Sequence, residues 1–252
     1  MQNAMPLFYR SPVAINSEIH LNSRIARSKD KFRFASSANF VLVTAVEFID
    51  ASKTYPLIFS EGANGEVVSL ALLGLENGEN LFVDHLTGEW SANYVPAYVR
   101  RYPFIPADVG SESFPVCVDQ EYEGFGTEEG ERLFDEDGTA TEYCRQVQAF
   151  LSDYQQQSLV TQGFAQKLKA LGLLKSMDLN IQDLQGQNFA VQGFLIVDEE
   201  KLKGLDDEEV LSLFREGYLA LIYMHLGSLR NLSRLIDLKA KRLSENAQAK
   251  LS

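Results

Sequence analysis

The sequence predicts an α+β fold: a β-rich N-terminal part with antiparallel strands, then a helical C-terminal part with one β-hairpin. Two observations carry this reading. Up to about residue 118 the chain consists of short runs rich in Val, Phe, Leu and Thr, separated by turns bearing Gly and Asn, the pattern of an antiparallel meander. Beyond residue 139, apolar residues recur mostly at three- and four-residue spacing over long stretches, the period of an amphipathic helix. With 252 residues, 45% of them hydrophobic, the chain has material for a substantial core without disulfide staples.

The elements follow in order. Residues 1–37 are polar and irregular, interrupted by Pro6 and Pro12, with a basic stretch from Arg24 to Arg33. Phe40 to Ile49, Tyr55 to Phe59, Val67 to Leu75 and Leu81 to Val83 read as strands, divided by the turns Glu61–Glu66 and Asn77-Gly78. Trp90 to Phe104 contains Pro96, which suits the first position of one or two helical turns; Pro103 and Pro106 end them. Phe114 to Val118 reads as a buried strand, and 119–138 as an acidic, exposed loop. Thr141 to Leu174 is expected to be helical, with Gly172 near its end. Met177 to Leu184 and Phe189 to Val197 form a hairpin candidate around Gln185-Gly186-Gln187. Asp206 with Glu209 three residues on gives a helix start of the capping-box kind. Apolar periodicity then runs to Ile236, with Gly217 placed to divide it into two helices.

Charge is distributed unevenly. The formal net charge is −12, and residues 105–147 hold two basic and twelve acidic residues, whereas the segments on either side are each at −1. No concentrated basic surface is available to neutralise phosphates, so neither a nucleic-acid partner nor docking on anionic lipid is expected. The apolar run Tyr218 to Leu226 falls far short of the roughly 20 residues of a membrane span, and Met1 to Arg10 lacks a basic segment followed by an apolar one. The expectation is a cytoplasmic protein without membrane insertion, with surface association by non-classical export as the alternative.

Catalytic and metal signatures are missing. His20, His85 and His225 form no HExxH pattern, and His225, inside an apolar run, reads as a hydrogen-bonded core residue. Cys117 and Cys144 make no CxxC; two free thiols are the simplest reading, a disulfide between them the alternative. Asp135, Asp137 and Glu142 are oxygen donors near Gly138, but counted from Asp135 the calcium-loop positions 5 and 12 fall on Thr139 and Gln146, so no tight calcium site is expected. No metal and no cofactor is predicted. The best ligand-site candidate is Arg100 and Arg101 with Trp90, Tyr98 and Tyr102. A guanidinium presents a planar fork to carboxylates and the rings offer stacking surface. Adjacent residues point in different directions on a helix or a strand, so at most one arginine meets a ligand. The competing reading has the rings in the core and the arginines paired with the acidic loop.

Four stretches carry a family resemblance: MPLFYRSPVAIN after Ala4, ALLGLENGENLFVD over 71–84, YVPAYVRRYPF over 94–104, and GFLIVDEEKL over 193–202, followed by LALIYMHLGSLRNL. Together they resemble the bacterial SapC family over nearly the whole chain. The resemblance implies one SapC-like unit over 1–252, with a β-rich subregion 38–118, the acidic loop 119–138 and a helix-rich subregion 139–245. The family name comes from association with a paracrystalline surface layer, which implies a role in surface assembly, and it brings no agreed catalytic residues. Two functions follow as expectations. One is a non-catalytic binding or assembly protein with a protein partner or a small anionic ligand. The other is an enzyme, or an accessory to a modification enzyme of the flavin-dependent halogenase kind, with a dispersed site for an anionic ligand.

Overall fold

In a computed structural model of the chain, residues 6–107, 115–126, 128–182 and 188–249 are described. The N-terminal stretch expected to be irregular forms short elements: β1 (Pro12–Ala14), α1 (Ser17–His20) and β2 (Arg24–Ile25). The run from Phe40 is a strand only as β3 (Phe40–Leu42). It stops because Thr44 and Glu47 form a capping box, the Glu47 carboxylate accepting from Thr44 N–H at 2.8 Å. A 3₁₀ turn (Ala45–Glu47) and α2 (Phe48–Ala51) replace the rest of the expected strand. β4 (Leu57–Glu61) and β5 (Val67–Leu72) form the expected hairpin. Leu81 to Val83, expected as a strand, makes a single bridge, Val83 to Trp90. Its backbone is taken up elsewhere: buried Asn80 accepts from Phe82 N–H, and Arg242 donates to the carbonyls of Asn80, Leu81 and Val83.

Pro96 sits at the N-cap of α3 (Ala97–Arg100), one residue before the first-turn position expected for it. The chain then turns into β6 (Phe104–Pro106), which pairs with β7 (Val116–Asp119). The acidic loop is less open than expected. β8 (Phe125–Gly126) and β9 (Glu131–Arg132) flank β2 in a three-stranded sheet, and Asp119, Leu133 and Phe134 are buried. α4 (Glu142–Ala170) starts on Thr141, whose hydroxyl accepts from Cys144 N–H. It ends four residues before Leu174, where β10 (Leu174–Gln182) begins and pairs with β11 (Asn188–Val197). The expected turn at Gln185-Gly186-Gln187 lies outside the described residues. α5 (Glu199–Lys203), α6 (Asp207–Arg215), α7 (Tyr218–Ser228) and α8 (Asn231–Ala249) complete the chain. The capping box at Asp206 and Glu209 forms as read from the sequence, and Gly217, at φ +76°, divides α6 from α7.

The main sheet has five antiparallel strands in the order β10-β11-β4-β5-β3. The hairpin expected inside the helical part therefore extends the N-terminal sheet. Cross-strand partners share a face, so Leu57, Phe59 and Ala71 look one way and Ile58, Leu70 and Leu72 the other. Helices cover the first face: Phe59 meets Phe164 of α4 at 6.0 Å and His225 of α7 at 5.0 Å. Among the described residues no long helix lines the second face, which lies beside α3.

Candidate functional site

The second sheet face forms an open apolar groove of about 710 Å³. Its floor includes Phe40 and Leu42 of β3, Val68 of β5 and Ile58 of β4; Leu7, Tyr98 and Phe194 are also among its lining residues. Phe40, Leu42 and Val68 remain more than a third exposed, an apolar surface that an isolated chain has reason to cover. Among the described residues the groove lining holds one charged side chain, Glu76, whose carboxylate Lys239 takes, and the polar Asn39, Ser60 and Asn77.

α3 stands at one side of this groove, held from behind by a buried carboxylate. Glu47 accepts from Ala97 N–H at 2.7 Å and from the Tyr94 hydroxyl at 2.8 Å, while its other oxygen serves the Thr44 cap. This fixes the two arginines that follow. Arg100 is exposed: its Nε donates to Val95 O at 3.0 Å and its guanidinium lies over the rings of Phe150 and Tyr94. Arg101 points the other way and is only 8% exposed. Its guanidinium carbon lies 3.9 Å from the centroid of Tyr98, 5.1 Å from that of Tyr154 and 5.7 Å from that of Tyr9. Its Nε is enclosed with no hydrogen-bond partner. Among the described residues no carboxylate pairs with either arginine, so the expected pairing with the acidic loop does not occur there.

The rings do not supply the missing negative charge. Burial pushes the Tyr154 phenol up to about 12, with the Arg101 cation opposing, and raises that of Tyr9 as well, again against Arg101. Both are neutral at pH 7. The Tyr9 hydroxyl donates to Phe104 O at 2.6 Å, and its oxygen, still an acceptor, offers Arg101 a neutral contact rather than a charge. Asp119, the nearby buried carboxylate of β7, is spent on Arg10 N–H, Ser11 N–H, Glu121 N–H and the Tyr102 hydroxyl.

The chain before β1 completes the cluster. Leu7 lines the groove, the Phe8 ring packs on Tyr98 at 5.7 Å, and Tyr9 lies under Arg101. Phe8 has φ +81° in a turn closed by Tyr9 N–H to Pro6 O. Turns normally give this conformation to glycine, and a bulky residue held there costs on the order of 1–3 kcal/mol.

Of the five residues singled out from the sequence, the structure brings Tyr98 and Arg101 into contact. Tyr102 is adjacent, stacked on Phe34 at 4.3 Å with its hydroxyl on Asp119. Arg100 lies outside the cluster. Trp90 belongs to a different group, donating to the Tyr55 hydroxyl and packing on Phe32. Sequence reasoning missed Tyr9 and Tyr154, which come from distant parts of the chain; no local signal marks either one.

The family model for SapC matches residues 15–235. The chain belongs to the SapC family. The matched span contains α3 with Tyr98, Arg101 and Tyr102, and Tyr154 of α4, while Leu7, Phe8 and Tyr9 precede it. No curated protein and no solved structure matches this SapC chain. Among its described residues no three His, Cys, Asp or Glu side chains converge as a metal site would require, and no helix is long and apolar enough to cross a membrane. His225 is the buried, doubly bonded core residue expected from its position. Cys117 and Cys144 are free and buried, and burial pushes both thiols up, away from the reactive thiolate.

Proposed function

We propose that this SapC protein is a non-catalytic binding protein in which Arg101, framed by Tyr98, Tyr9 and Tyr154, accepts an anionic group from a ligand or partner. The observation that carries the reading is the largely buried Arg101, whose Nε is enclosed with no partner and which no described carboxylate meets. Enclosing an unpaired ion costs several kcal/mol, and an unmade hydrogen bond adds about 1–3 kcal/mol. Each ring repays on the order of 0.5–2 kcal/mol through cation–π attraction, and only the Tyr98 contact is close. The cation is thus under-compensated, which is the condition an incoming anion relieves. Attachment to a surface layer, the role the family name suggests, fits a protein that docks through such a site. An enzymatic reading has no comparable observation behind it: among the described residues the cluster offers a fixed cation and neutral phenols, and the nearby carboxylate of Asp119 is taken up by four donors.

The test is thermal unfolding of the wild type, Arg101→Lys and Arg101→Gln at constant ionic strength with acetate, phosphate or sulfate. Binding at a hundred times Kd raises the wild-type midpoint by about 5 °C or more. Arg101→Gln loses that response, and Arg101→Lys keeps part of it. If Arg101→Gln is as stable as the wild type and no anion shifts either protein, the arginine is structural and the reading fails.

A further inference from the structure

Arg101 does not itself line the groove; the Tyr98 ring stands between the two, so a ligand that uses both passes the edge of that ring. Tyr98 belongs to both: it lines the groove and carries the Arg101 guanidinium 3.9 Å from its ring centroid. The consecutive residues Leu7, Phe8 and Tyr9 run from the groove wall, across Tyr98, to Arg101. The backbone at Phe8 is held at positive φ along this path, and such outliers gather at ligand clamps. A cavity of about 710 Å³ is of the size that takes small molecules rather than a folded partner.

We propose that the anion accepted by Arg101 is the carboxylate of an acyl chain whose hydrocarbon lies in the groove. This rests on the reading of Arg101 as an anion site and names its ligand class. The floor argues for hydrocarbon rather than peptide. Phe40, Leu42, Ile58 and Val68 present apolar side chains there, and β4 and β5 spend their backbone groups on neighbouring strands. Over the apolar side chains of the floor a peptide finds few partners for its own N–H and C=O groups, the polar side chains of the lining being Asn39, Ser60, Asn77 and the paired Glu76, whereas an alkyl chain has none to satisfy. Charge sets the polarity of the ligand. Glu76, the charged residue among those lining the groove, is already paired with Lys239 and offers a carboxylate no partner, so the head group belongs with the Arg101 cation stacked on Tyr98.

The experiment is calorimetric titration of the full chain with acetate, hexanoate, octanoate and decanoate below their micellar concentrations, with decanol as the neutral control. Affinity is expected to rise about four-fold for each methylene that enters the groove. Arg101→Gln is expected to weaken every carboxylate at least ten-fold while leaving the chain-length dependence in place. Leu42→Glu, at an exposed position of the edge strand β3, is expected to flatten the chain-length dependence while acetate binding persists. Equal affinity for acetate and decanoate, with loss of both in Arg101→Gln, overturns the acyl proposal and leaves the anion site standing. Decanol binding as tightly as decanoate, with Arg101→Gln indifferent, overturns both. Binding of an apolar peptide where decanoate fails overturns the acyl assignment, and no binding of any carboxylate overturns it together with the anion site.

Discussion

Acidification charges His225 in the unfolded chain long before it does so in the native one. The ring is fully buried where α7 crosses the sheet. Nε2 accepts from Val197 N–H at 3.0 Å, and Nδ1 lies 2.9 Å from Leu57 O. The accepted bond fixes a neutral ring with its proton on Nδ1, because a proton on Nε2 meets the Val197 N–H head-on. Burial lowers the native pKa from 6.5 to about 4. Between these values the unfolded chain binds the extra proton, so stability is complete above pH 6.5 and falls as pH drops towards 4. Linkage puts the loss at about 2 kcal/mol by pH 5 and about 3 kcal/mol by pH 4. The carboxylates with lowered values, Asp84, Glu123, Asp137, Asp198 and Glu216, lose their contribution only as pH falls through the ordinary carboxylate range and below it. The window from pH 6.5 to 5 therefore isolates the histidine from them. Urea unfolding at pH 7, 6 and 5 measures it, with His225→Gln as the control. That variant is expected to be less stable at pH 7, through the unpaired Val197 N–H and Leu57 O, and nearly flat across the window. A wild type of constant stability from pH 7 to 5, or an unchanged slope in His225→Gln, refutes the reasoning.

Glu47→Gln replaces one of two fully used carboxylate oxygens by an amide donor. It is expected to cost about 2–4 kcal/mol, read by urea midpoint, and to weaken binding at Arg101 by loosening α3. Phe164→Ala empties the contact between α4 and the sheet, where the ring meets Phe48, Phe59 and Tyr218. A loss of about 3–5 kcal/mol is expected in the same assay. Arg100→Gln removes only an exposed contact, and is expected to change stability by no more than about 1 kcal/mol and to leave ligand affinity unaltered.

Elements marked by local chemistry were legible in the sequence. Asp206 and Glu209 announce the start of α6, Gly217 the break after it, Pro96 the start of α3, and Glu61–Glu66 the β4–β5 turn. The same kind of signal explains one error: Thr44 and Glu47 spell a capping box inside a run that reads as strand by its Val and Phe content, and the cap prevailed. The other errors are non-local. Leu81 to Val83 is denied a strand by Asn80 and by Arg242, more than 150 residues downstream. β1, β2, β8 and β9 are two or three residues each, too short for periodicity to register. At the site, the opposite directions of Arg100 and Arg101 followed from helical geometry alone. Which of them faces inward depends on Tyr9 and Tyr154, and their convergence is set by tertiary packing that no spacing encodes.

The central claim is that the Arg101 guanidinium meets an anion, and its Nε–H is the atom that reports it most directly. Arginine Nε–H resonances of ¹⁵N-labelled protein, with Arg101 assigned by its disappearance in Arg101→Lys, can be followed through a decanoate titration. The account predicts one slowly exchanging Arg101 signal in the free protein that shifts saturably with decanoate, at the same midpoint as calorimetry, while the Arg100 signal stays in place. An Arg101 signal that does not move while decanoate binds, or that moves no more than that of Arg100, contradicts it.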